Sequence, residues 1–229
     1  MSEWTGAFDA VAAMRRRRGL VVSVLFGLLL FATTIAVSVG ALDLDLGTTL
    51  AILLEPVDIE LPWAFESAQS AIVWSIRMPR VVLGLLVGAV LSVSGAIMQG
   101  LFRNPLAEPG LIGVSSGAAL AAATMIVLGS SLIDQLPSPL DQLALPMAAF
   151  TGGAICTYLV YGVSLTGGRL SVSTMLLAGI AFNAIGFAAL GLLQYVADDN
   201  ELRGLTFWML GSLGAATWDA LIIIAPLLF

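Results

Sequence analysis

The sequence predicts an all-α fold, a polytopic bundle of membrane-spanning helices, and three observations support this prediction. Hydrophobic residues make up 59% of the 229 residues and charged residues only 10%, whereas soluble domains average about 45–50% apolar and about 25% charged residues. Long runs without a charged side chain recur along the chain. Four consecutive arginines, residues 15–18, directly precede the first run, which is typical of the cytoplasmic end of a transmembrane segment.

Six uncharged runs are candidate spans, because a helix needs roughly 20 apolar residues to cross the hydrocarbon core of a bilayer. In chain order they cover residues 19–42, 81–102, 109–133, 142–168 and 170–197, and the sixth begins near residue 220. Helices buried in a soluble protein are the alternative for any single run, but six such runs favour a membrane protein. We therefore expect a tail over residues 1–18 and a transmembrane domain over residues 19–229.

The distribution of charge predicts the orientation, because arginine and lysine concentrate on the cytoplasmic side. Arg103 and Arg169 then lie inside together with residues 15–18, while Arg77, Arg80 and Arg203 face outward. A cleaved signal peptide also begins with basic residues, but its apolar region is usually about 7–15 residues long. We expect a multi-pass protein of the cell inner membrane with a cytoplasmic N-terminus. The acids expected outside are Asp43, Asp45, Glu55, Asp58, Glu60, Glu66, Asp134, Asp141, Asp198, Asp199 and Glu201.

Small residues recur at intervals of four within two predicted spans, which is a pattern that lets helices approach closely in lipid. They are Gly84, Gly88, Ser92 and Ala96 in the second span, and Gly113 and Gly117 at the start of the third. The alternative is chance, since the chain has 24 glycines. Between the first two spans, residues 43–70 read as an extracytoplasmic loop with a short interfacial helix.

Missing residue types exclude several enzyme classes. The chain has no histidine and no lysine, so a Walker phosphate loop, a zincin site, a Ser-His-Asp triad and a Schiff-base lysine are all excluded. The single cysteine, Cys156, rules out an internal disulfide and reads as a small buried hydrophobe. We therefore predict a protein that is not an enzyme and has no catalytic residues, cofactor or metal site. The sequence shows no clustered basic face of the kind that would indicate nucleic-acid binding.

Residues 76–80 place two arginines at the outer mouth of the second span. Pro79 suits the first turn of a helix, where its missing N–H would be unpaired anyway. Arginine is unfavourable near the positive end of a helix dipole, so Arg77 and Arg80 need another reason to be there. Interfacial anchoring by snorkelling and docking of carboxylates from a partner protein both remain open.

Three further segments interrupt the apolar pattern. Residues 103–110 contain two prolines and a glycine, so they break the second span near the cytoplasm, either as a tight turn or as a gate beside an aqueous path. Ser171 or Ser173 can cap the fifth span. Residues 198–203 read as a solvated outer loop, and the apolar stretch after them is short enough for a half-helix.

Seven short sequence blocks follow one another in order along the chain. They are IRMPR at 76–80, GA at 88–89, SGAIMQ at 94–99, RNPLAEPG at 103–110, GVSSGA at 113–118, LLAGI at 176–180 and LTFWMLGS at 205–212. In this order they resemble the iron-siderophore, haem and cobalamin ABC importer permeases. The resemblance covers residues 19–229 and implies that this region is a permease domain.

The resemblance implies partners and site residues. Such permeases have ten transmembrane helices, form homodimers or pseudo-dimers, and work with two cytoplasmic ATPase subunits and a periplasmic binding protein. Arg77 and Arg80 match the arginines that dock the binding protein. Asn104, Leu106, Val172 and Ser173 match positions near the cytoplasmic gate, where Val172 departs from the usual small polar residue. We also expect these 229 residues to lack the coupling helix and the last four spans.

The ligand implied by the resemblance is haem. Residues 98–105 and 206–218 look most like haem permeases, although ferric siderophore and cobalamin permeases remain open. The alternatives to an importer are a passive channel, an intramembrane enzyme and a fragment without transport function.

Overall fold

The computed structural model describes residues 2–129, 135, 137 and 140–227. Within these residues the regular secondary structure is helical apart from one hairpin of two-residue strands, which confirms the predicted all-α class. The α-helices are α1 Ser2–Ser38, α2 Leu46–Leu54, α3 Ser67–Ile72, α4 Met78–Phe102, α5 Val114–Leu128, α6 Leu140–Ser164, α7 Val172–Val196, α8 Asp199–Leu210 and α9 Trp218–Ile224. Three-residue or longer 3-10 turns cover Glu55–Val57, Pro109–Ile112 and Ala225–Leu227, a π-helix covers Val73–Arg77, and the hairpin pairs β1 Leu165–Thr166 with β2 Arg169–Leu170.

Four helical segments of the described residues are long and apolar enough to cross a membrane. They cover Ala13–Ser38, Ser67–Phe102, Leu143–Ser164 and Val172–Val196, and they correspond to the first, second, fourth and fifth predicted spans. In place of the third, the structure has the 3-10 turn and the 15-residue α5, and residues 130–133 lie outside the described residues. The sixth begins at Trp218, and its described part is the seven-residue α9 followed by the 3-10 turn Ala225–Leu227.

The second span begins at Ser67, well before the predicted residue 81. The prediction treated Arg77 and Arg80 as the boundary, because a charge normally ends a transmembrane run. The helical path continues through both arginines because the Arg77 guanidinium is buried on backbone carbonyls rather than exposed to lipid. Residues 2–18, expected as a tail, form the first turns of α1. A permease domain over residues 19–229 remains a prediction.

The chain divides into two compact units, the first of which contains Met1–Leu86 and Leu213–Phe229. Its core gathers Val37, Ile52 and Val73 around the loop after α1. The predicted interfacial helix within residues 43–70 is α2, which begins where the Asp45 carboxylate accepts a 3.0 Å hydrogen bond from the Gly47 amide. Such a cap satisfies one of the amide groups that a helix start leaves unpaired.

The second unit contains Val87–Ser212, and its closest helix pair is α5 with α6. Gly117 and Gly152 meet backbone to backbone: a Cβ atom on Gly117 would lie 2.5 Å from the Gly152 carbonyl oxygen. The predicted small-residue contact at Gly117 is therefore confirmed. The same spacing in α4 has a different outcome, because no described atom lies within 4 Å of a Cβ built on Gly88.

Two caps in the second unit fix where α7 and α8 begin. Ser171 caps α7 by accepting from the Thr174 amide, as predicted. Asp198 and Glu201 form a reciprocal capping box at the start of α8, so this acidic segment begins a helix and is not only a solvated loop. The Leu205 side chain of α8 is buried in a cluster with Ala123 and other side chains of α5 and α7.

Candidate functional site

Arg77 lies at the end of the π-helix and is buried, with 7% of its surface exposed. Its Nη1 donates hydrogen bonds of 2.6 Å to the carbonyl oxygens of Val37 and Ser38, and its Nη2 donates to the carbonyl of Leu42. The Val37 and Ser38 carbonyls stand at the C-terminal end of α1, where the helix has acceptors without helical partners and the negative end of its dipole, and the Leu42 carbonyl lies in the loop that follows. Arg77 therefore caps α1.

Two local features allow this cap. Gly40 lets the guanidinium come close, since a Cβ atom there would lie 2.8 Å from Nη2 of Arg77. The π-helix adds a residue to the turn, as shown by the Met78 amide donating to the Val73 carbonyl five residues back. Pro79 then stands in the first turn of α4, as predicted. Isolated π-turns of this kind occur often at functional sites.

Arg80, three residues further on, has a different environment. Its side chain is exposed, and its Nη2 donates a long hydrogen bond of 3.3 Å to the Gly214 carbonyl. Beside it, the Trp218 indole donates a 2.7 Å hydrogen bond to the Trp74 carbonyl and so connects α9 with the π-helix. Of the two arginines predicted to dock a partner, Arg80 is the one whose charge reaches solvent.

Asn104 and Leu106 lie in the turn that ends α4. The Asn104 side-chain oxygen accepts a 3.0 Å hydrogen bond from the Leu106 amide, and the Asn104 carbonyl accepts from the Ala107 amide. Arg103 adopts a positive φ of 49°, which turns the chain out of the helix. As a result the Leu106 side chain projects from the turn and is 85% exposed.

Val172 and Ser173 are the first two residues of α7. Ser173 is exposed, whereas Val172 packs against a cluster that also contains Ala107 and Met175. The two segments predicted to form the cytoplasmic gate are therefore brought together, since Ala107 directly follows Leu106 in the turn.

Asn183 is a site residue that the sequence analysis missed. Its Nδ2 donates a 2.9 Å hydrogen bond to the Gly110 carbonyl, so α7 is tied to the chain between α4 and α5. Its Oδ1 is buried without a partner among the described residues. One turn earlier, Gly179 lies directly against the Leu111 carbonyl, leaving no space for a Cβ atom. An amide inside a run as apolar as 170–197 was the available signal, because polar groups in such segments are often functional.

The described residues offer little for metal or cofactor chemistry. Across residues 2–129 and 140–227, no three acidic or thiol side chains come together as metal ligands would. Cys156 is buried against Gly117 of α5 and Gly113 directly before it, and belongs to helix packing. The first unit offers an exposed cation, Arg80. The second unit offers the turn after α4, which packs against the start of α7.

Residues 28–229 match the FecCD transport family. The chain is 45% identical over 157 residues to the hemin transport system permease protein HmuU of Yersinia pestis, covering 68% of this chain and 46% of that protein. It is 41% identical over 154 residues to the vitamin B12 import system permease protein BtuC of Escherichia coli, covering 67% and 44%. The chain thus spans less than half the length of these curated relatives.

Similarity extends to a further relative and to a solved structure. The cobalamin import system permease protein BtuC of Halobacterium salinarum is 39% identical over 153 residues, with 67% of this chain and 38% of that protein covered. A solved structure assigned as an inward-facing conformation of a metal-chelate type ABC transporter superposes with a TM-score of 0.70 at 28% identity. The superposed region covers 90% of this chain and 58% of the solved chain.

Proposed function

The chain belongs to the FecCD transport family, and on that premise we propose that it is the membrane-spanning permease subunit of an ATP-driven importer for haem. The observation that carries the proposal is the family match over residues 28–229, which includes all four long apolar helices except the start of the first. The subunit itself catalyses no reaction. It works with two cytoplasmic ATPase subunits, a periplasmic binding protein and a second permease copy, and the ligand passes along the interface between the two copies.

Haem is favoured over the other ligands by sequence similarity. The identity to the hemin permease is 45%, against 41% and 39% for the two vitamin B12 and cobalamin permeases. A ferric siderophore or cobalamin is the alternative ligand. The location we propose is the inner membrane with the N-terminus in the cytoplasm, because the Arg15–Arg18 cluster precedes α1's apolar part.

Docking of the binding protein would use Arg80 directly and Arg77 indirectly. Arg80 is exposed and can form a bidentate pair with a carboxylate of the binding protein. Arg77 has its donors engaged on α1, so its contribution is to hold in place the turn that presents Arg80. The cytoplasmic gate would consist of Asn104, Leu106, Val172 and Ser173, with the exposed Leu106 side chain as its apolar plug.

Transport is tested by uptake into proteoliposomes that contain the ATPase, the binding protein and a permease carrying this sequence together with the coupling helix and the last four spans expected above. We expect ATP-dependent accumulation of haem that exceeds accumulation of a ferric siderophore or cobalamin supplied at equal concentration. Accumulation of another ligand in preference to haem would overturn the assignment of the ligand. Uptake that continues without ATP would indicate a passive channel. No uptake of any ligand by the complete complex would overturn the importer assignment and leave this sequence without a transport function.

Docking is tested by charge reversal at one arginine. Arg80→Glu should weaken binding of the binding protein by about 2- to 10-fold, because an exposed ion pair contributes only ~0.2–1 kcal/mol and the reversal also adds repulsion. Arg203→Glu is the matched control, since Arg203 is exposed on α8. Equal affinities for the two variants in a pull-down titration would contradict a docking role for Arg80.

A further inference from the structure

A groove of about 620 Å³ runs between α1 and the π-helix and α4 that follow it, entirely within the first unit. Small residues face each other across it, with Ala32 and Ala36 on α1, Gly40 in the loop after α1 and Gly84 on α4. Ala32 and Ala36 are four residues apart, so they lie on the same face of α1. The missing side-chain volume on both sides is what opens the groove, and its walls are predominantly apolar.

Thr33 carries the hydroxyl group in the α1 wall of the groove, and this group is already satisfied within the protein. The Thr33 hydroxyl donates a 2.7 Å hydrogen bond to the Leu29 carbonyl of its own helix. Burying an unpaired polar group is costly, so a wall of this kind suits a hydrocarbon chain better than a polar solute. The volume falls within the range of roughly 300–1,000 Å³ typical of small-ligand sites.

The two ends of the groove differ in charge. One end carries Arg77 and Arg80, and the hydrogen bonds of Arg77 place this end at Val37 and Ser38, where α1's apolar span stops. The other end reaches Leu29, nine residues earlier, which is about 13 Å along a helix axis. Half of a hydrocarbon core measures about 15 Å. The groove therefore extends from the membrane surface to near its midplane, which is the depth of one lipid leaflet.

Arg80 can bind an anionic headgroup at the surface end. Its hydrogen bond in the protein is to the Gly214 carbonyl at 3.3 Å, not to a carboxylate. A guanidinium has five N–H donors in a planar fork that matches phosphate oxygens. Arg77 adds positive potential behind it while its own donors stay on the α1 carbonyls.

We propose that this groove binds one anionic phospholipid from the leaflet at the C-terminal end of α1. One acyl chain lies along Ala32 and Ala36, and the phosphate pairs with Arg80. The length of the groove, its apolar wall and its single cationic end match the three parts of such a lipid. Arg80 is shared with the docking role proposed above, but lipid binding needs neither the ATPase nor the binding protein, so the two proposals are tested by separate measurements.

The test is native mass spectrometry of the purified chain after equilibration with equal amounts of phosphatidylglycerol and phosphatidylcholine that carry the same acyl chains. We expect one retained lipid with about fivefold preference for phosphatidylglycerol, the preference that one arginine near an anionic surface gives. Arg80→Gln should reduce the preference to about one, and Arg203→Gln, the matched control, should keep it. Ala36→Leu fills the groove and should lower retention of both lipids.

Three results would overturn the proposal. They are equal retention of the two lipids by the unchanged chain, an unchanged preference in Arg80→Gln, and displacement of the retained lipid by haem at equimolar concentration, which would make the groove a ligand site. If Ala36→Leu fails to fold, the Arg80→Gln comparison still decides, because Arg80 is exposed and its replacement leaves the helix packing intact.

Discussion

The contact between α5 and α6 gives the sharpest stability prediction, because it depends on the absence of side chains at Gly117 and Gly152. A Cβ atom on Gly152 would overlap the Gly117 carbonyl oxygen and the Ala121 Cβ, and would lie 3.2 Å from the Gly117 carbonyl carbon. Neither neighbour is a flexible side chain that could turn away. Gly152→Ala therefore forces the two helices apart.

The expected magnitude is the difference of two effects. Overpacking costs typically about 1–3 kcal/mol, and unyielding neighbours place this site in the upper half of that range. Alanine in a helix interior is favoured over glycine by about 0.5–1 kcal/mol. We therefore expect Gly152→Ala to destabilise the contact by about 1–2.5 kcal/mol. Gly162→Ala in the same helix is the control, with no described atom within 4 Å of its Cβ, and should stabilise by about 0.5–1 kcal/mol.

Cys156 provides a built-in reporter of this contact. It is the single cysteine of the chain, is 9% exposed, and lies against Gly113 and Gly117. When opening and closing are fast, the rate of thiol labelling by a maleimide follows the population of the open state. In mild detergent, labelling should be about 5- to 70-fold faster in Gly152→Ala than in the unchanged chain, and no faster in Gly162→Ala. Equal labelling rates for the two variants would refute the packing argument.

Three further predictions concern other contacts. Arg77→Gln leaves carbonyls at the end of α1 without donors, and each unpaired buried group costs about 1–3 kcal/mol of stability. The Tm of this variant in detergent should therefore fall below that of Arg80→Gln, and equal Tm values would contradict the cap. Asp198→Ala should destabilise the start of α8 by about 1 kcal/mol and speed amide hydrogen exchange in its first turn. An unchanged exchange rate would rule out the capping box as a stabilising feature. Gly179→Ala should loosen the turn before α5 and increase its proteolysis relative to Gly191→Ala, whereas identical cleavage would show that the close approach is unimportant.

Local features of the fold were predictable from the sequence because they depend on adjacent residues. The Ser171 cap, the short helix α2 and the apolar spans all follow from nearest-neighbour rules on capping and hydropathy. Asp198 shows the limit of these rules, since its acidic neighbours read equally well as a loop until the reciprocal bond with Glu201 is seen.

Contacts between distant residues were not predictable. The carbonyls that bind Arg77 stand 35 to 40 residues away in the chain, so hydropathy counted the arginine as a boundary. The spacing of Gly84 and Gly88 equals that of Gly113 and Gly117. Of these four glycines only Gly117 has close backbone neighbours, those of Gly152, and no pattern within a single helix identifies this partner. The same reason applies to the proposed gate, where packing around Ala107 joins two segments that are far apart in sequence.

The link between Asn183 and Gly110 has a mechanical consequence. Together with the close approach of Gly179 to Leu111, it fastens the segment after the α4 turn to two successive turns of α7. A tilt of α7 must then move that segment with it. The exposed Leu106 and the start of α7 therefore move together as one rigid unit, and they do not move apart from each other. Opening a passage between them would first require breaking the hydrogen bond from Asn183 to the Gly110 carbonyl. Any opening that keeps this bond must come from movement of a surface that faces this pair of segments.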